Sequence, residues 1–124
     1  LNESVIGPDT AWEILHQGAS ELLLPDTHIA GGILPCVKIG HLAESAGATC
    51  IMHCGHDLGP KTAAMVHVAA SGPAYKLGND STYYGLEDDI TTAPLQITNG
   101  HIEVPSEAGL GIEVDQEKLK RYAI

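Results

Sequence analysis

Three short apolar runs, each ending in polar or charged residues and each followed or preceded by a helical stretch, constrain this chain more than any other feature. Glu21-Leu22-Leu23-Leu24-Pro25-Asp26 is too short for a helix and is closed by proline, as a strand covered on both faces would be. Ala48-Thr49-Cys50-Ile51-Met52 repeats the pattern and runs into His53-Cys54-Gly55-His56-Asp57. Ala74-Tyr75-Lys76-Leu77 reads as the third strand. Helices are expected over residues 8–18, opened by Pro8-Asp9 and closed by Gly18, over 33–46 with Ile33, Val37, Leu42 and Ala46 at near-helical spacing, and over 60–70. This alternation predicts parallel βαβ units with right-handed crossovers, and three strands are too few to close a barrel.

After residue 80 the character changes. Residues 94–105 alternate around Asn99-Gly100, a strong hairpin signal, and Gln116–Tyr122 suits a last helical turn or two. The expected division is therefore an α/β part over 1–80 and a tail with a β-hairpin over 81–124. Sixteen acidic residues face six basic ones, a net charge of -10, so no basic surface is available to neutralise phosphates and nucleic acid is excluded as a partner. No apolar run approaches the roughly 18 to 20 residues a membrane-spanning helix needs. The three cysteines, an odd and sparse set, suit reduced thiols and a cytoplasmic location. The chain opens Leu1-Asn2-Glu3-Ser4 without an initiator Met, and it is expected to be a piece of something longer.

In parallel α/β folds functional groups gather at the carboxyl ends of the strands, where the loops share one mouth. That rule singles out Asn2, Glu3, Asp26, His53, His56, Asp57, Asn79 and Asp80. Adjacent strands would set Asp26 beside His53, and a carboxylate there fixes the imidazole tautomer and makes a general base usable near neutral pH. The residues alone leave a second reading, a His capping the next helix and an Asp closing a turn. His53, Cys54, His56 and Asp57 could also chelate zinc, although an HxxH loop makes a poor tetrahedron by itself. The cysteines read as small buried hydrophobes, and Trp12 reads as core.

The succession Leu24-Pro25-Asp26-Thr27-His28-Ile29-Ala30-Gly31-Gly32-Ile33, Ile51-Met52-His53-Cys54 into Leu58-Gly59, Leu86-Glu87-Asp88-Asp89-Ile90, Pro94-Leu95, Gly100, Val104-Pro105 and 109–115 resembles the carboxyl-terminal third of the mandelate racemase and muconate lactonizing enzymes of the enolase superfamily. The likeness runs through essentially the whole chain. It implies an α/β fold that is the C-terminal portion of a (β/α)8, TIM-like barrel, from the end of strand 5 through strand 8, with a hairpin tail that packs on a capping domain. The muconate-type and epimerase branches carry a catalytic Lys five residues before the Gly-Gly pair. Asp26 stands there in this chain, as in the mandelate racemase and acid-sugar dehydratase branch, where the Asp pairs with a His at the end of the next strand. His53 lies 27 residues further on, one βαβ step.

The resemblance further implies a Mg²⁺-dependent enzyme that abstracts the α-proton of a small hydroxy-carboxylate, with His53 as base or acid and Asp26 as its partner. Acid-sugar dehydration is the favoured outcome, with racemisation, epimerisation or cycloisomerisation as alternatives. Glu3 matches the third metal-binding carboxylate, although one alignment puts Asn2 there, and His56 and Asp80 are candidate substrate contacts. The family's strand-8 Glu is matched by Gly78, so its role is vacant or has moved to Asp80, which equally suits a turn. The implied partners are the amino-terminal part of the same enzyme, with its capping domain, and further copies of the enzyme in a homo-oligomer. A rival expectation is a non-catalytic structural fragment of a split or clipped barrel.

Overall fold

The structure, a computed structural model, describes residues 1–123. Its elements run α1 (Pro8–His16), β1 (Leu22–Leu23), α2 (Ile33–Ser45), β2 (Thr49–Cys50), α3 (Gly59–Ala70), a 3-10 turn (Tyr83–Gly85), β3 (Ile97–Thr98), β4 (His101–Ile102) and α4 (Gln116–Tyr122). β1 and β2 pair in parallel, Leu22 beside Thr49 and Leu23 beside Cys50. The ladder outlasts these short strands: the amides of Thr49, Ile51 and His53 donate to the carbonyls of Glu21, Leu23 and Pro25 at 2.9, 3.1 and 3.0 Å. On the other edge of β1 the Leu24 amide donates to the Leu1 carbonyl at 2.8 Å, so the first residues lie alongside it.

The third expected strand, Ala74–Leu77, does not form. Among the described residues only the Cys50 amide reaches it, donating to the Ala74 carbonyl at 2.9 Å, and the Tyr75 amide turns back to Gly72. Farther along, the Met52 amide finds no main-chain carbonyl opposite and donates instead to the Asn79 side-chain oxygen at 2.7 Å, while the Asp80 amide donates to the Met52 carbonyl at 3.2 Å. A side-chain amide thus stands in for a peptide group in the ladder, which is why regular strand geometry is lost there.

α2 forms where expected, but of its expected apolar face Val37 is only partly buried against the core, and Ile33 and Ala46 are exposed. Cys36, Ile39, Gly40 and Ala43 are buried, whereas Ile33 and Leu34 are 42% and 63% exposed. Small residues are selected because Tyr75 crosses the helix closely: its hydroxyl donates to the Cys36 carbonyl at 2.8 Å, and a Cβ on Gly40 would lie 2.7 Å from its ring. Substituting Gly40 by Ala adds helix propensity of about 1 kcal/mol but forces a ring that is pinned by its hydroxyl. The expected net loss is about 1–2 kcal/mol of stability by urea denaturation. Trp12 likewise is not core. α1 turns Ala11 inward, leaving Trp12 54% exposed and stacked on His16 one turn later at 5.3 Å between ring centroids.

The core gathers Leu23, Ile39, Cys50, Met52, Met65 and Val68 between the ladder and the helices. The three free cysteines are buried, and burial pushes the thiols of Cys36 and Cys50 up to about 11 and about 12. All three are expected to resist a thiol reagent at neutral pH until the chain is unfolded, since thiolate and access are both missing; rapid labelling of the native protein is the contrary result.

The tail folds back on α3. β3 and β4 pair antiparallel over two residues each, Ile97 with Ile102 and Thr98 with His101, less than the alternating stretch 94–105. Asp89 is the fastening point: its Oδ1 accepts the Gly59 and Ile90 amides, both at 2.8 Å, and its Oδ2 accepts the Tyr83 and Thr91 hydroxyls, both at 2.6 Å. Glycine is required at position 59, because a Cβ there would collide with this carboxylate and stand 2.7 Å from Thr91 Cγ2. Asp88 adds an outer pair, accepting from Lys118 Nζ at 2.8 Å and the Tyr122 hydroxyl at 2.9 Å.

Candidate functional site

The ladder between residues 21–25 and 49–53 ends with Asp26 and His53 side by side. Buried Pro25 presents its carbonyl to the His53 amide, which fixes the two backbones one residue before Asp26. The Asp26 side chain is 5% exposed and that of His53 25% exposed. His53 Nδ1 lies 3.4 Å from Asp26 Oδ2, a long contact for a charge-assisted bond. The other oxygen, Oδ1, accepts the His28 amide at 2.6 Å.

A residue that the sequence reasoning missed completes the cluster. Lys61, in the first turn of α3, donates to Asp26 Oδ2 at 2.9 Å and to Asp57 at 2.9 Å. Its i,i+4 spacing from Asp57 was a usable signal for the second contact, but nothing local points across 35 residues to Asp26. Burial works to raise the Asp26 pKa. The Lys61 hydrogen bond, the His28 amide, the Lys61 charge and the His53 contact together overcome it and hold the carboxyl below its ordinary value. For Lys61 burial works downward, and the bonds to Asp26 and Asp57 and their charges hold the ammonium above its ordinary value.

Both groups are therefore charged at neutral pH, with a chemical consequence for the histidine. An ionised carboxylate only accepts, so Nδ1 is the nitrogen that carries a hydrogen toward Asp26, and Nε2 is the one left to exchange a proton with a substrate. Nε2 points to the mouth, with Asp80 Oδ2 3.9 Å away and the Asp80 side chain half exposed. An imidazole held in this way can take a proton from a substrate and return it elsewhere.

The other sequence candidates are placed less closely. His56 is exposed in the loop beyond His53, and among the described residues no hydrogen bond joins its ring to Asp26, His53 or Asp80. Asp57 folds back to accept the Gly55 amide at 2.9 Å besides holding Lys61. Cys54 is buried with its thiol directed to the Gly55 carbonyl. No group of three or more His, Cys, Asp and Glu side chains able to hold a metal comes together among the described residues, which argues against the zinc set.

Magnesium asks for hard oxygen donors. Glu3 is exposed and accepts from Asn2 Nδ2 at 3.1 Å. The neighbouring Asn2 Oδ1 is buried and has no hydrogen-bond partner among the described residues, an orphan oxygen of the kind a cation would take up. These two residues fit the chemistry of Mg²⁺ but make only a share of a six-oxygen shell.

The family model described as enolase C-terminal domain-like matches residues 1–118. A probable glucarate dehydratase of Streptomyces coelicolor is 33% identical over 107 residues, which is 86% of this chain and 25% of that protein. A muconate cycloisomerase of Acinetobacter lwoffii is 27% identical across 98% of this chain and 32% of its own length. A crystal structure of an enolase from Pseudomonas fluorescens, with bound magnesium, potassium and tartrate, superposes with a TM-score of 0.86 at 26% identity, over 95% of this chain and 28% of that one. The chain thus spans about a quarter to a third of the length of the curated relatives it matches.

Proposed function

The chain belongs to the enolase C-terminal domain-like family, and from that premise we propose that it carries the proton-transferring dyad of a larger Mg²⁺-dependent enzyme acting on a small hydroxy-carboxylate. The observation that carries the reading is the geometry of the dyad: Asp26 Oδ2 faces His53 Nδ1 at 3.4 Å, which leaves Nε2, 3.9 Å from Asp80 Oδ2, as the ring nitrogen able to exchange a proton with a substrate. His53 removes the α-proton, and Asp26 fixes the ring and offsets the charge of the imidazolium that forms. Magnesium, when bound, offsets the second negative charge that grows on the substrate carboxylate as the proton leaves. Glu3 and Asn2 Oδ1 are the oxygens of this chain that would hold it, and the relative bound to magnesium and tartrate supports that choice of ion and substrate class.

Acid-sugar dehydration is the preferred outcome. One histidine can take the α-proton and then protonate the departing β-hydroxyl, whereas racemisation needs a second base on the opposite face. Asp80, close to Nε2 and half exposed, is the substrate-binding candidate of this chain in place of the strand-8 Glu, with exposed His56 as an outer contact. The muconate cycloisomerase likeness over nearly the whole chain favours a second reading, cycloisomerisation, which uses the same proton transfer. Incubating the complete enzyme and Mg²⁺ with a panel of acid sugars and with muconate separates the two. A 2-keto-3-deoxy product supports dehydration, and a lactone from muconate with no acid-sugar turnover overturns it.

In this reading residues 1–80 form the last units of the barrel and 81–124 the tail that meets the capping domain. Exposed Ile6, Leu34 and Leu77 belong against the remainder of the enzyme, which we place in a cytoplasmic homo-oligomer. Expressed by itself, the 124-residue chain is expected to bind a hydrophobic dye and to melt without a sharp transition. A cooperative melt with no dye binding would favour a self-sufficient domain.

A further inference from the structure

Lys61 and His53 converge on one atom. Asp26 Oδ1 is taken by the His28 amide, so Oδ2 alone serves both the Lys61 ammonium at 2.9 Å and His53 Nδ1 at 3.4 Å. The ammonium is the nearer of the two and is anchored from its other side by Asp57 at 2.9 Å. It cannot itself act as a base, because two carboxylates hold its proton in place. A carboxylate already paired with one cation pulls less strongly on a second, and two positive charges on one oxygen repel one another.

The charged groups facing His53 are therefore Asp26 on Nδ1, Asp80 at 3.9 Å from Nε2, Lys61 across Asp26, and Asp57 behind Lys61. Two of the acids favour an imidazolium directly. Lys61 is the cation placed to oppose them, and it comes from a different element, α3, packed at the end of the ladder.

We propose that Lys61 is a positioning residue of the site, which fixes the Asp26 carboxylate and offsets its pull on His53, so that the imidazole stays an unprotonated base to lower pH than an Asp-His pair alone would allow. This rests on the assignment of His53 as the base, and it adds a third, cationic member to the dyad. It also gives the loop 53–58 a role, since Asp57 holds the ammonium in place.

The test is a titration of the complete protein labelled with nitrogen-15 in its histidines, comparing the unsubstituted protein with Lys61→Met and Lys61→Arg. In Lys61→Met the His53 midpoint is expected to rise by about one unit, a roughly tenfold tighter hold on the proton, and Lys61→Arg returns most of the shift. The acid limb of the pH profile for α-proton exchange into deuterated solvent moves in the same direction by the same amount. An unchanged or lowered midpoint in Lys61→Met overturns the proposal, as does a loss of exchange that is equal at every pH. Should the Met variant fail to fold, Lys61→Gln is titrated in its place and judged by the same shift. Failure of the base assignment is distinguishable: exchange would then survive His53→Asn, whereas the His53 midpoint would still report on Lys61.

Discussion

Replacing His53 with Asn in the complete enzyme is expected to slow exchange of the substrate α-proton with solvent deuterium by about a hundred- to ten-thousandfold, the weight usually carried by a positioned acid-base group. Asn keeps a side-chain N–H that can donate to Asp26 Oδ2 in place of Nδ1–H, so the carboxylate retains its partners Lys61 and His28, but nothing remains at the Nε2 position to accept a proton. Substrate affinity should change far less than rate, because Asp80 and the oxygens of Asn2 and Glu3 proposed to hold the metal are untouched. Proton NMR in deuterated buffer with Mg²⁺ reads the loss directly. Exchange that persists near the unsubstituted rate would sink His53 as the base.

The second large effect concerns the tail. Asp89→Ala is expected to destabilise the protein by about 3–5 kcal/mol, because the Gly59 and Ile90 amides lose their acceptor and a buried pocket opens. Asp89→Asn should cost only about 1 kcal/mol: one oxygen still accepts both amides, and the Tyr83 and Thr91 hydroxyls can rotate to accept from the new NH₂. Equal losses in the two variants would contradict this account. Burial works to raise the Asp89 pKa, and the bonds from Thr91, Tyr83, Gly59 and Ile90 overcome it and hold the carboxyl below its ordinary value of 3.8. A depressed carboxyl stabilises the fold at every pH above that ordinary value, and the contribution is lost as pH falls below it. Denaturation of Asp89→Asn should accordingly lose the part of the acid dependence that this group supplies.

The alternating rhythm of apolar runs and helices located α1, α2, β1, β2 and α3 because each is bounded by proline or glycine signals that act within a few residues. What sequence could not show was which side of a helix faces inward. On α2 Ile33, Val37, Leu42 and Ala46 look like the core face, and the fully buried set is the smaller one around Cys36 and Gly40, chosen by Tyr75 from far along the chain. The meeting of Asp26 and His53 was legible because parallel neighbours one crossover apart end at the same level. Lys61 was not, since its reach to Asp26 depends on how α3 sits on the ladder. Asp89 was visible only as part of a resemblance; its burial and four hydrogen bonds come from the tail folding onto the start of α3, which no local pattern encodes.

The side-chain amide of Asn79 that completes the ladder at Met52 is neutral, so this joint does not titrate in acid. Asp26 at the end of the same ladder and Asp89 and Asp88 in the tail are the proton-linked joints, since all three carboxyls are held below their ordinary value. Acidification should loosen the tail over residues 86–123 and the Asp26 end of the ladder, while the Met52–Asn79 joint within the ladder persists. Hydrogen exchange at low pH would then find the Gly59 amide opened early and the Met52 amide late.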